Sequence, residues 1–139
     1  MKEDIIHMKS FLTTKTLGVI GAISWAGTII LRGTTANSIQ ILNFILGITP
    51  NIASSWLCVF LMESIYSALL KRKFTFKYAL VTSIAIWVLS LGSEIIHDLF
   101  FNSPFDINDI MATSFALIIF LAIFYLNNKD SISEVQNNK

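Results

Sequence analysis

Apolar residues come in four long blocks bounded by charges, not alternating with them. The first runs Thr16 to Leu31, between Lys15 and Arg32, and the second Ile52 to Leu70, broken only by Glu63. The third starts at Tyr78 and is uninterrupted to Ser93, after which Glu94, His97 and Asp98 crowd its end. The fourth runs Ile110 to Leu126. A water-soluble amphipathic helix shows a polar face in each block, and most of these show none. A bilayer core about 30 Å thick asks for roughly 20 apolar residues per helix, with about 17 tolerated. The first and last blocks are short, but flanking Lys15 and Arg32 can snorkel and extend the first. The pattern predicts an all-α integral membrane four-helix bundle with spans near 16–31, 52–70, 78–98 and 110–126.

Between the first two spans, Ser38 to Ile48 reads S-I-Q-I-L-N-F-I-L-G-I, with Gln40, Asn43 and Gly47 at helical spacing. The stretch is too short to span and predicts a short interfacial or re-entrant helix. Thr49 is then a candidate N-cap for the second span, with Pro50 in its first turn.

Charge sets the expected orientation. Lys2, Lys9 and Lys15 precede the first span; Lys71, Arg72, Lys73 and Lys77 join the second to the third; Lys129 and Lys139 follow the fourth. Nine of the ten basic residues thus fall on one side, with Arg32 alone on the other. The positive-inside rule assigns that side to the cytoplasm, which makes the chain N-in/C-in. Residues 1–15 are then a cytoplasmic segment, 16–126 the membrane domain and 127–139 a cytoplasmic polar tail. A cleavable signal peptide competes for the first block, but Trp25 and the Ile29-Ile30-Leu31-Arg32 end offer no small-x-small cleavage site. Gly18, Ala22 and Ala26 form a small-residue stripe suited to close helix approach, within the bundle or in an oligomer.

Composition agrees with a lipid environment: the 139 residues are 54% hydrophobic and 14% charged, with mean hydropathy +0.67. Single Cys58 lies within the second span, so no internal disulfide can form, and it reads as an apolar filler. No phosphate loop, nucleophile elbow, zincin motif or nucleic-acid motif occurs, so neither a cofactor nor a nucleic-acid partner is expected. The Lys71–Lys73 run is explained by topology and anionic lipid.

Two places hold ionisable groups where lipid makes them costly. Glu63 is seven residues before Leu70, about 10 Å deep. It is expected to face the bundle, with Ser24, Thr82 and Ser83 as partners by depth, or to line a transport path. The second place is the end of the third span. Glu94, His97, Asp98 and Phe101 share a helix face, and Asp106, Asp109 and Thr113 share another across the Asn102-Ser103-Pro104 turn. No basic residue lies among these five titratable groups. The cluster reads as a solvated acidic rim with Asp106 or Asp109 capping the fourth helix, as a cation site, or as a polar recognition site. One histidine without a recognised ligand spacing argues against metal.

At these residues the chain resembles the VanZ-like family of small bacterial membrane proteins. The matching stretches are Glu94-Ile95-Ile96-His97, then Phe105-Asp106-Ile107-Asn108-Asp109 running on to Thr113, and the Gly47-Ile48-Thr49-Pro50-Asn51 entry to the second span. The likeness covers roughly residues 47–126. It departs at His97, where the family tends to have Gln, at Thr113 for Asn, and at Ala116 for Gly. The resemblance implies a multi-pass protein of the bacterial plasma membrane, linked to the cell envelope and to glycopeptide (teicoplanin-type) antibiotic resistance. By position it implies an outward ligand site of Glu94, His97, Asp98, Asp106, Asp109 and Thr113, with a cell-wall or lipid-linked precursor as partner. Alternatives are a metal-assisted membrane enzyme using His97 with Asp98, Asp106 or Asp109, and a small oligomeric channel or transporter subunit in which Glu63 lines a path.

Overall fold

The computed structural model describes the backbone of residues 13–34 and 39–137 and side chains as far as residue 128. Residues 1–12 of the N-terminal segment, Ser38, and the side chains of Lys129 and Lys139 lie outside it. Four helices account for nearly all of the described chain: α1 (Thr14–Arg32), α2 (Gln40–Leu70), α3 (Phe76–Phe101) and α4 (Ile107–Asn137). Each is long and apolar enough to cross a membrane. Ile30, Ile41, Leu69, Leu89 and Phe100 are all at least 70% exposed, an outer surface that water would not tolerate and lipid does.

The helices run up-down-up-down. Lys15, Lys73, Lys77 and Asn128 gather at one end, the basic end; Arg32, Glu94, Asp106 and Asp109 gather at the other, the acidic end. α4 is the most enclosed span, packing on both α2 and α3, while α1 packs mainly on α2. Indole hydrogen bonds tie α4 to its neighbours: Trp56 Nε1 donates to the Ala116 carbonyl at 2.9 Å, and Trp87 Nε1 to Ser114 Oγ at 2.9 Å. The core of Leu17, Val59, Ala79, Leu117, Phe120 and Phe124 is closed at the basic end by Phe74, which the α2–α3 loop inserts into the bundle. Phe74 meets Tyr66 and Phe124 edge-on, with ring centroids 5.4 and 5.9 Å apart.

The expected short helix before the second span is not a separate element. Residues 40–48 are the opening turns of α2, which continues through Pro50 to a length of 31 residues, about 46 Å. Thr49 is accordingly no N-cap; its Oγ1 donates back to the Ile45 carbonyl at 2.7 Å. Proline inside a helix lacks the N–H that would bond the carbonyl four residues earlier, here Leu46. That orphaned carbonyl is taken by Arg32, whose guanidinium donates to it at 2.8 Å. One cation at the end of α1 thereby lets α2 run on where the sequence suggested a break.

α4 likewise extends past the polar boundary at residue 127, its backbone helical as far as Asn137. The chain reverses after α2 at Lys71 and after α3 at Asn102, with φ of 49° and 50°. Asparagine tolerates that left-handed conformation, whereas lysine holds it at a cost of about 1 kcal/mol.

The small-residue stripe does not act as one surface. Gly18 is buried against Phe60, but Ala22 and Ala26 are exposed. The second close approach is at Gly21, where an added Cβ would stand 2.5 Å from the Ala53 carbonyl oxygen of α2. The α1–α2 seam therefore follows Gly18 and Gly21 and ends at buried Thr28.

Candidate functional site at the acidic end

Three polar stripes converge between α2, α3 and α4. α2 contributes Asn51, Ser54 and Ser55 at spacings of three and four; α3 contributes Ser90, Ser93 and Glu94 at the same spacings; α4 contributes Thr113, one turn after Asp109. They line a crevice of about 280 Å³ whose remaining wall is Cys58, Ile86 and Leu89. Cys58, expected as a filler, is exposed. Thr113 is 2% exposed and shares a 3.2 Å hydrogen bond with Ser90.

Glu94 joins α3 to the start of α4, because its carboxylate accepts the Asp106 N–H at 3.3 Å. Asp106 is the N-cap of α4, its Oδ1 accepting the Asn108 backbone N–H at 2.9 Å and the Asn108 side-chain amide at 2.9 Å. The capping role considered for Asp106 or Asp109 thus falls to Asp106. Asp109 turns inward to a hydrogen bond with the Asn51 side chain. Burial, then Asp106 and Glu94, disfavour its charge and together outweigh the hydrogen bond from Asn51 and the more distant charge of Arg32.

The acidic group is therefore not without a cation, as the stretch 94–109 read alone suggests. Arg32 comes back toward it from the end of α1, where its guanidinium donates to the Leu46 carbonyl and its charge acts weakly on Asp109.

Not all the residues singled out by sequence meet here. The exposed ring of His97 packs edge-to-face on Phe101 of its own helix, centroids 5.6 Å apart. Asp98 is exposed and lines neither cavity. Of the six residues singled out, Glu94 and Thr113 line the crevice; Asp106 is joined to Glu94 through its backbone N–H and Asp109 to Asn51, but neither aspartate lines it, and His97 and Asp98 stand apart. Among the described residues no group of three His, Cys, Asp or Glu side chains could hold a metal ion. The residues missed by sequence reasoning are Arg32, Asn51, Ser54, Ser55, Ser90 and Ser93. Apart from Arg32, their signal was present as i, i+3, i+4 polar triplets within otherwise apolar helices.

The hydrogen-bond directions define what the crevice can do. Ser54 and Ser55 hydroxyls both donate to the Asn51 carbonyl, at 3.3 and 2.6 Å, leaving their oxygens as acceptors. Glu94 adds a carboxylate. The lining is acceptor-rich and suits a ligand that presents hydroxyl, amide or ammonium donors.

Glu63 is remote from this site. It lines a separate cavity of about 970 Å³ at the basic end, with Lys15, Lys73 and Lys77. The hydroxyl partners expected for it do not line its cavity: Ser24, Thr82 and Ser83 are all absent from it, the last two being buried.

No protein-family model matches the chain, and neither a curated protein nor a solved structure matches it.

Proposed function

We propose that this is a multi-pass protein of the bacterial plasma membrane, N-in/C-in, that binds the headgroup of a lipid-linked cell-wall precursor in its outward-facing polar crevice. The observation that carries the reading is the acceptor-rich crevice at the end opposite to the lysines. Sugar and peptide headgroups are dense in the hydroxyl and amide donors such a lining pairs with. The nine-to-one distribution of basic residues supports an outward-facing crevice. The VanZ-like resemblance at Glu94, Asp106, Asp109 and Thr113 points the same way, toward glycopeptide-type resistance.

Orientation is tested by reporters active only in the cytoplasm, fused after Arg72 and after Lys139. Both are expected to give signal; signal at one alone contradicts four spans with both ends inside.

Binding is tested with the purified chain in nanodiscs and a lipid-linked wall precursor. Glu94→Gln keeps an acceptor for the Asp106 N–H but loses the charge, and is expected to weaken binding about tenfold. His97→Ala and Asp98→Asn, which lie off the crevice, are expected to leave binding and resistance unchanged. Equal losses in all three variants, or full binding by Glu94→Gln, would remove the crevice as the precursor site.

A further inference from the structure

The larger cavity, at the basic end, is the more constructed of the two. Its lining comes from all four helices and from the α2–α3 loop. Thr13, Thr14 and Lys15 enter from the start of α1; Phe60 and Glu63 come from the last turns of α2; Asn127 and Asn128 stand where the apolar run of α4 ends. Thr13–Lys15 and Asn127–Asn128 stand where their helices pass between polar and apolar sequence, whereas Phe60 and Glu63 lie inside the apolar run of α2. The cavity therefore straddles the boundary between hydrocarbon and headgroups.

Its chemistry is two-sided. Phe60, Phe74, Phe76 and Phe124 make an aromatic wall, and Phe74 and Phe124 are themselves anchored in the core. Lys15, Lys73 and Lys77 bring three ammonium groups from two separate segments against one acid, Glu63. Small-molecule pockets span about 300–1,000 Å³, so about 970 Å³ is far more than a lone anion fills. Lysines alone at a membrane surface need no pocket, and an aromatic pocket for an apolar chain needs no lysines. Their combination at this depth fits an anionic amphiphile.

We infer that this cavity is a binding site for an anionic phospholipid of the leaflet at the basic end, its phosphate held by Lys15, Lys73 and Lys77 and the start of an acyl chain lying on Phe60, Phe74 and Phe124. Glu63 opposes the phosphate, which confines it to the lysine rim.

The test uses the full chain in detergent with added phosphatidylglycerol, phosphatidylcholine or glycerol phosphate, read by native mass spectrometry and thermal shift. Phosphatidylglycerol is expected to bind and stabilise, and phosphatidylcholine to do so at least about tenfold more weakly. Lys73→Gln with Lys77→Gln removes two charges that line the cavity. Lys71→Gln with Arg72→Gln removes two from the same loop that do not. The first pair is expected to weaken phosphatidylglycerol about tenfold and the second to change it little. Ser64→Phe, which keeps every charge but intrudes on the cavity, is expected to weaken binding several-fold, and Glu63→Gln to tighten it several-fold. Equal losses in the two charge pairs would reduce the effect to surface attraction and overturn the site. So would undiminished binding in Ser64→Phe. Stabilisation by glycerol phosphate equal to that by the lipid would assign the cavity to a free phosphate ester and overturn the lipid.

Discussion

Replacing Gly21 with alanine is expected to destabilise the bundle by about 2 kcal/mol, and with leucine by about 3 kcal/mol or more. The same alanine at Gly27, six residues along the same helix, is expected to be neutral or to stabilise by up to about 1 kcal/mol. Both changes gain the same helix propensity, so the difference isolates packing. At Gly27 an added Cβ meets nothing within 4 Å, whereas at Gly21 it meets a backbone carbonyl oxygen at 2.5 Å. A flexible side chain can turn aside from an extra methyl; the Ala53 carbonyl is held in the α2 hydrogen-bond ladder and moves only with its helix. α1 must then back away along its whole length, which also opens the contact of Gly18 with Phe60. Reversible unfolding in mixed micelles measures the effect. Equal stabilities for the Gly21→Ala and Gly27→Ala variants would mean that the two helices are not in close contact there.

The four helices were legible because hydrocarbon imposes a length and an apolar composition that charges visibly interrupt. The packing seam of α1 was less so. Gly18, Ala22 and Ala26 are equally small, but only the rotation of the helix decides which of them faces α2, and the buried Leu17 with Gly21 sets that rotation. The same ambiguity affected the end of α3. Spacings of three and four put Glu94, His97 and Asp98 on one broad face, yet only Glu94 is turned to α4 and the crevice. Contacts distant in sequence were the hardest to read. Pro50 reads as a helix start because proline ordinarily breaks a helix. The partner that makes it tolerable lies 18 residues earlier in the chain, at Arg32. Glu63 reads as isolated in apolar sequence, and the lysines that share its cavity come from α1 and from beyond the α2–α3 turn.

Arg32→Leu is expected to destabilise the protein by about 2 kcal/mol, chiefly because the Leu46 carbonyl is left without a donor. The Leu46 carbonyl, left without a helical donor by Pro50, loses the guanidinium N–H that it accepts at 2.8 Å. Asp109 loses a favourable charge that is weaker than its interactions with Asp106, Glu94 and Asn51, so this part of the cost is small. A second substitution separates these contributions. Pro50→Ala restores a backbone N–H that can bond the Leu46 carbonyl directly, so the carbonyl no longer needs Arg32. Arg32→Leu is then expected to cost about 1 kcal/mol less in the Pro50→Ala background than in the native chain. Asp109→Asn should lower the cost by a smaller amount, through the weaker electrostatic contribution. The cycle is read by unfolding in mixed micelles, with the topology reporter after Arg72 checking that the spans remain in place. If the cost of Arg32→Leu is the same with and without Pro50, the guanidinium does not sustain the helix across the proline. If it is the same with and without Asp109→Asn, Arg32 is not the counter-charge of the acidic end.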